Sequence, residues 1–330
     1  MSSQSQTQNA PGQDSRASGR RAAVIINPTK KTDVDIRALV EDICRSEGWT
    51  EPLWLETEAE DPGHGMARQA LKEGADVVIA AGGDGTVRCV AAELSGTDTP
   101  LGLLPLGTGN LLARNLDVPV DDPAGAVRTA LTGTERRIDV VHVKVDEAVD
   151  SEIFLVMAGL GYDAVMMGDT NTNLKDRLGW LAYVDAGIRN LPGKPVKTMI
   201  SIDGGKPFSR RLRSVMGGNC GRIVGGLEVF PGAKIDDGLL DIMTMAPKGK
   251  LGWLSVAAGL LRRGKGRGTA VEYFQCKSAD IWADTPQEFE MDGDHLGSAT
   301  RLSLRVDPGA LRIRMPYGRK DPAVLRNPEP

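Results

Sequence analysis

Residues 75–86 read ADVVIAAGGDGT, and this stretch decides the fold. Ala75–Ala80 is an apolar run of buried-strand length, and Gly82-Gly83-Asp84-Gly85-Thr86 follows almost at once. The arrangement recurs on either side. Leu101–Pro105 is a short apolar run ended by Leu106-Gly107-Thr108-Gly109-Asn110, and Ala22–Ile26 is a β-branched run ended by Asn27-Pro28-Thr29-Lys30-Lys31. Helical spacing is found at Val34–Cys44, with apolar residues at 36, 39, 40 and 43, and helices are also expected at Gly65–Glu73, Val87–Leu94 and Leu111–Leu116. Pro52–Glu56 can add a short strand. Strands alternating with helices predict a largely parallel sheet covered on both faces. The ligand crevice of such a sheet lies at the carboxyl ends of its strands. All three turns should therefore line one crevice.

The residues in those turns suit phosphate. Consecutive glycines let the backbone approach closely and aim N–H groups at an anion, and the following helix N-terminus favours negative charge. Asp84 inside such a loop would repel phosphate unless a cation intervenes, so it is a natural contact to Mg²⁺. Thr108 and Asn110 are short polar groups able to hydrogen-bond phosphate or ribose. Lys30 or Lys31 can neutralise phosphate charge. The loop is not a Walker A motif, because GxxxxGK[ST] is absent, and Arg88 stands where GxGxxG needs its third glycine.

The whole chain narrows the class further. Its 330 residues suffice for two domains, and 41% hydrophobic content can fill their cores. A formal net charge of -4 provides no global attraction to nucleic acid. No apolar run approaches the roughly 18 residues of a membrane span. Met1–Arg21 lacks the apolar region of a secretory signal and reads as a disordered leader. Cys44, Cys89, Cys220 and Cys276 are scattered without CxxC spacing, as expected for reduced thiols in a cytoplasmic protein.

Beyond about residue 140 the pattern changes. Ile138–Val145, Ile153–Ala158, Lys197–Ile202, Arg211–Met216, Leu239–Met245, Val271–Gln275, Ala279–Ala283, Glu288–Met291 and Arg301–Val306 are short strand candidates, which predict an antiparallel sandwich or barrel. Helices are expected at Leu174–Asn190 and Leu251–Arg262. The second is apolar between basic flanks (Lys248, Lys250, Arg263, Lys265, Arg267), a composition that suits either a core helix or an anionic membrane surface.

In this order and spacing, NPTKK, GGDGT and PLGTGN resemble the diacylglycerol kinase catalytic-domain family, which includes bacterial lipid kinases and the sphingosine and ceramide kinases. The resemblance continues through Arg137-Ile138-Asp139, Gly159–Asp163, Pro231–Leu240 and Met291–Asp294, and covers roughly residues 20–315. It implies a leader over 1–20, then an α/β nucleotide-binding domain over 21–140, similar to NAD kinases and phosphofructokinases. A β-sandwich lipid-binding domain over 141–307 follows, with the chain end, 308–325, returning to the first domain. It also implies that ATP is contacted by Asn27, Pro28, Thr29, Lys30, Lys31, Thr57, Gly82, Gly83, Asp84, Gly85, Thr86, Val87, Arg88, Cys89, Thr108 and Asn110. Mg²⁺ is held by the carbonyls of Lys234 and Leu239 and the side chain of Asp237. Asp294 is the implied general base, with Asp84 beside the phosphates.

Two departures from the family pattern bear on the chemistry. Asp294 stands where the family usually has glutamate, one methylene longer, and Leu111 stands where it has an acid. The expected partner is a lipid substrate at a membrane surface, with peripheral membrane association and without nucleic acid. The sequence leaves room for a homodimer. An NAD kinase-like activity and a catalytically weak nucleotide- or lipid-sensing module are the alternatives.

Overall fold

The computed structural model describes residues 19–30, 32–161, 195–223, 226, 228–247, 252 and 270–318. The leader to residue 18, Lys31, Tyr162, Asp163, the chain beyond 318 and the two expected helices at 174–190 and 251–262, Gly252 apart, lie outside the described residues. So do the basic residues flanking the second helix.

Four strands, β1 (Ala22–Ile26), β2 (Leu53–Glu56), β3 (Val77–Gly82) and β4 (Leu101–Pro105), run parallel in the order β4-β3-β1-β2. Every residue of β3 and β4 is buried, which is why both read as unbroken apolar runs. Helices α1 (Ile36–Ser46), α2 (His64–Lys72), α3 (Asp84–Leu94), α4 (Leu111–Asn115) and α5 (Pro123–Thr132) complete this part. α1 packs with α5, and α2 with α3. Helix α1 begins where Asp35 accepts the Ala38 N–H, and it buries Ile36, Val40, Ile43 and Cys44. Helix α5 was not expected, although Asp122 caps it by accepting the Gly125 N–H and Pro123 opens it. An Asp-Pro start is a legible signal.

The rest is antiparallel. Strands β5 (Thr134–Val145), β6 (Glu152–Phe154), β7 (Met157–Leu160), β8 (Val196–Ile202), β9 (Phe208–Leu212), β10 (Ser214–Gly218), β11 (Leu240–Met245), β12 (Val271–Cys276), β13 (Ser278–Met291) and β14 (Asp294–Met315) continue the same sheet. The long β14 joins the parts: it pairs with β13 and β5, and Ile313 aligns in parallel with Leu101 of β4. One face of these strands closes a core of Leu160, Val215, Ile242, Phe289, Met291 and Leu304. The other face places Met157, Met216 and Met243 in the core that also holds β1, β3 and β4.

Several expected strands are divided or fused. The expected strand Ile153–Ala158 breaks into β6 and β7 because the N–H groups of residues 155–157 bond to a side chain, Asp292, instead of a neighbouring strand. The expected strand Arg211–Met216 is shared between β9 and β10. Conversely, Ala279–Ala283 and Glu288–Met291 are one strand, with a register shift between Trp282 and Gln287 around Pro286. Strand β14 passes through Asp307-Pro308-Gly309 with a register shift, and Gly309 takes φ 60°.

Asp139 fastens that irregularity. Its carboxylate, 1% exposed, accepts from Gly238 N and Gly309 N, each at 2.7 Å. Its own N–H donates to Ile235 O at 2.7 Å. Burial is the main cause that pushes the carboxyl above its ordinary range, and the two N–H donors oppose it. Replacing Asp139 with Ala strands two part-buried donors, so unfolding in urea should show a loss of about 2–4 kcal/mol. A loss below about 0.5 kcal/mol would remove Asp139 as the fastening.

Candidate active site

The ends of β3 and β4 bring the two glycine turns into contact. Leu106 N donates to Gly82 O at 2.9 Å. A Cβ on Gly107 would lie 2.7 Å from Gly83 Cα, so the backbones meet where only hydrogen fits. The β1 turn closes on the same place. Asn27 N donates to Ala81 O at 3.0 Å, and the Asn27 side chain accepts from Thr29 N at 3.0 Å and Thr29 Oγ1 at 2.7 Å. That fold of the turn carries Lys30 over the glycines. Its Nζ lies 3.9 Å from where a Gly83 Cβ would stand, and it makes no ion pair among the described residues. Thr57 is buried at the end of β2, its N–H on Ile26 O at 2.9 Å.

Helix α3 starts directly at Asp84, and Gly83 provides no side-chain cap. Its first-turn N–H groups therefore face the glycine turns, where an anion is favoured. Asp84 Oδ1 accepts from Leu111 N at 2.6 Å. Burial first, then Asp292 and, less strongly, Asp294, push the Asp84 carboxyl up to about 6, while the N–H groups of Leu111 and Asn110 hold it down. Where the resemblance expects an acid, Leu111 is buried, and its Cδ1 lies 3.5 Å from where a Gly293 Cβ would stand.

The β13–β14 turn faces α3. A Cβ on Gly85 would lie 2.9 Å from Asp294 Oδ2. Arg88 Nη2 donates to that same oxygen at 3.0 Å, and Nη1 donates to Met291 O at 3.0 Å. One guanidinium thus grips both ends of the turn. Asp292 anchors it from behind: left-handed at φ 49° and 2% exposed, it accepts from Leu155, Val156 and Met157 N–H groups at 3.0, 2.8 and 3.1 Å. Burial raises the Asp292 carboxyl, with Arg88 and the three amides opposing. Asn219, fully buried, links this anchor to Asp139 by donating to Asp139 O and Leu155 O at 3.0 Å each.

The structure thus gathers Asn27, Thr29, Lys30, Gly82, Gly83, Asp84, Gly85 and Asp294 around one crevice, with Thr108 exposed on its second turn and Pro28 exposed on its first. Other expected nucleotide contacts also have partners within the protein. Thr86 is buried against Gly82, and Val87 and Cys89 are buried helix positions. Asn110, at φ 46°, accepts from Gly107 N at 3.0 Å and donates to Gly107 O at 2.7 Å, so its amide closes the turn. Arg88 spends its guanidinium on the hairpin. Of the expected metal set, Asp237 accepts from Leu239 N at 3.1 Å, and the Lys234 charge acts on its carboxyl. Asp236 pairs with Arg136.

One group escaped the sequence reading. Glu290, 9% exposed on β13, has no hydrogen-bond partner among the described residues. Burial first, then Asp294 and Asp292, push its carboxyl up to about 7. The signal was available, since a glutamate between Phe289 and Met291 on one strand must take the face opposite theirs.

Glycine turns with Lys30 over them thus face a hairpin that carries Asp294, and the family of the chain gives the class, a phosphotransferase of the kinase type. Residues 21–143 match the diacylglycerol kinase catalytic domain, and residues 156–315 match the YegS C-terminal NAD kinase beta sandwich-like domain. A Pseudomonas fluorescens protein named "Probable lipid kinase YegS-like" is 34% identical over 303 residues, covering 91% of this chain and 96% of that one. A Bacillus subtilis protein named diacylglycerol kinase is 29% identical, covering 84% and 91%. The crystal structure of a Bacillus anthracis diacylglycerol kinase superposes with a TM-score of 0.69 at 21% identity, covering 94% and 100%. The chain belongs to the diacylglycerol kinase catalytic-domain family and is a lipid kinase.

The raised Glu290 carboxyl has a measurable consequence. Its proton is held more tightly in the folded state than in the unfolded chain, so its favourable contribution is complete below about 4.5 and is lost as pH rises through about 7. Unfolding in urea from pH 4.5 to 8 should show wild type losing on the order of 2 kcal/mol relative to Glu290→Gln. Parallel pH profiles for the two proteins would show that Glu290 is not desolvated.

Proposed function

We propose that the protein transfers the γ-phosphoryl group of Mg-ATP to a lipid hydroxyl, with diacylglycerol the leading acceptor. The observation that carries this reading is the meeting of Gly83 and Gly107 beneath Lys30, opposite Asp294. Nucleotide phosphates would lie on the glycine N–H groups and the α3 N-terminus, with Lys30 offsetting their charge. Asp294 would accept the acceptor's proton as its oxygen attacks phosphorus. Arg88 and Asp292 hold that carboxylate in place, which matters because a displacement of about 1 Å can cost on the order of a hundredfold in rate.

With burial the first cause, Asp292 and Asp294 both help raise the carboxyls of Asp84, to about 6, and Glu290, to about 7, but no three His, Cys, Asp or Glu side chains among the described residues are placed together to hold a metal ion. Asp84 would hold Mg²⁺, which when bound offsets phosphate charge. A second Mg²⁺ would be held by the Lys234 and Leu239 carbonyls with Asp237, all oxygen donors suited to a hard cation. Among the described residues no helix is long and apolar enough to cross a membrane. In this reading the lipid acceptor is met at a membrane surface, from the cytoplasm. The buried free thiols Cys44, Cys89, Cys220 and Cys276 support that compartment.

Transfer of labelled γ-phosphate from Mg-ATP to diacylglycerol, ceramide, sphingosine, phosphatidylglycerol and NAD tests this reading. Label should enter a lipid, and Asp294→Asn should lower turnover by about 10²–10⁴ with ATP affinity little changed. Unchanged turnover in Asp294→Asn would remove it as the base. Label on NAD alone would overturn the lipid acceptor.

A further inference from the structure

A second cation without an ion pair stands at the glycine turns. Arg114 lies in the short helix α4, half-buried, and its Nε donates to Gly109 O at 2.8 Å. That bond carries the side chain back along the helix and onto the turn that ends β4. Gly109 itself abuts Asp84, because a Cβ there would lie 2.7 Å from Asp84 Oδ2. The Arg114 guanidinium is thus fixed on the turn beside Asp84, while Lys30 stands at the Gly83–Gly107 contact.

Both terminal nitrogens of Arg114 are unspent: its side chain makes no ion pair and no further hydrogen bond among the described residues. Leu111, one turn back on α4, carries no charge, and Asp117, three positions on, takes Arg222 Nη2 at 3.1 Å. Arg88 is the contrast, with Nη1 on Met291 O and Nη2 on Asp294. The helix that presents Arg114 is held at both ends. Leu111 N donates to Asp84 Oδ1 at 2.6 Å. At the far end Asn115 is tied to the second domain: its Nδ2 donates to Arg222 O at 2.6 Å, and its Oδ1 accepts from Arg222 N at 3.0 Å. A guanidinium anchored through Nε still offers two coplanar NH₂ groups, the fork that takes phosphate oxygens in pairs.

Resting on the kinase reading, we infer that Arg114 binds the terminal phosphoryl group of the nucleotide, the one to be transferred. Its place in the crevice carries this. Lys30 covers the Gly83–Gly107 contact, whereas Arg114 is anchored on the residue that touches Asp84, and Asp294 faces the next residue, Gly85. The phosphate chain thus runs from Lys30 toward Arg114, and its last group lies where the base stands. That group's oxygens would otherwise meet the carboxyls of Asp84 and Asp294, and a cation with no partner of its own offsets the repulsion. A nucleoside diphosphate lacks the group, so Arg114 favours the triphosphate and has no hold on the product nucleotide.

The test titrates the full chain calorimetrically with Mg-ATP and with Mg-ADP, in the absence of lipid. Wild type should bind ATP more tightly than ADP. Arg114→Gln should weaken ATP by about tenfold or more and leave ADP within about twofold, so that ADP also reports an intact fold. With diacylglycerol added, transfer of labelled γ-phosphate should fall by about 10²–10³ in kcat. Arg114→Lys keeps the charge without the fork and should recover part of the ATP preference. Equal loss of both nucleotides in Arg114→Gln would place the residue away from the terminal phosphate and overturn the inference, as would unchanged ATP affinity. A wild type that prefers ATP through Arg114 yet labels no lipid would leave the inference standing and overturn the kinase reading.

Discussion

Everything at the crevice depends on the contact between Gly83 and Gly107. Two adjacent parallel strands end at the same level, and their turns touch backbone to backbone, with only 2.7 Å between Gly83 Cα and where a Gly107 Cβ would stand. Any larger residue at 107 would wedge the turns apart. The sheet supplies the rigidity: β3 and β4 are buried throughout, so their ends move little relative to one another. On this base Lys30 is carried in from β1, and α3 begins without a capping side chain.

The second domain contributes through a single hairpin turn. Strand β14 delivers Asp294 to α3, and its far end pairs with β4. The two domains therefore share one continuous strand, and Asp294 is tied to the glycine turns through it. Asp294 is shorter than the glutamate usual in the family, and the structure compensates locally. Arg88 fixes its carboxylate to the turn, Asp292 fixes the turn to residues 155–157, and Gly85 leaves room for the approach. Leu111 makes equal sense in this setting. An acid there would join Asp84, Asp292 and Asp294 in a site where burial and mutual repulsion already raise Asp84 to about 6.

Much of this was legible in the sequence because it rests on local pattern. The runs before GGDGT and LGTGN are buried strands because they are apolar throughout, and their turns converge because parallel strands end together. What was not legible depends on long-range pairing. Nothing near residues 153–158 announces that Asp292 will take their N–H groups and divide the strand. Arg88 reads as a nucleotide contact because it follows the glycine loop, and here its guanidinium bonds Asp294, 206 positions away. Asn110 reads as a ligand contact, but its left-handed backbone turns the amide onto Gly107. Helix α5 and Glu290 are different. Their signals, an Asp-Pro start and strand alternation with Phe289 and Met291, were present in the sequence and were not used.

Gly83→Ala probes the central contact most directly. A methyl at residue 83 meets Gly107 Cα at 3.6 Å and Lys30 Nζ at 3.9 Å, ordinary contacts that the fold accommodates. It would, however, stand between the backbone donors and an incoming phosphate. Calorimetric titration with Mg-ATP should show affinity falling at least about tenfold, with stability in urea within roughly 1 kcal/mol of wild type. Unchanged ATP affinity in a folded Gly83→Ala protein would contradict the account, because the glycine turns would then not be where the phosphates bind.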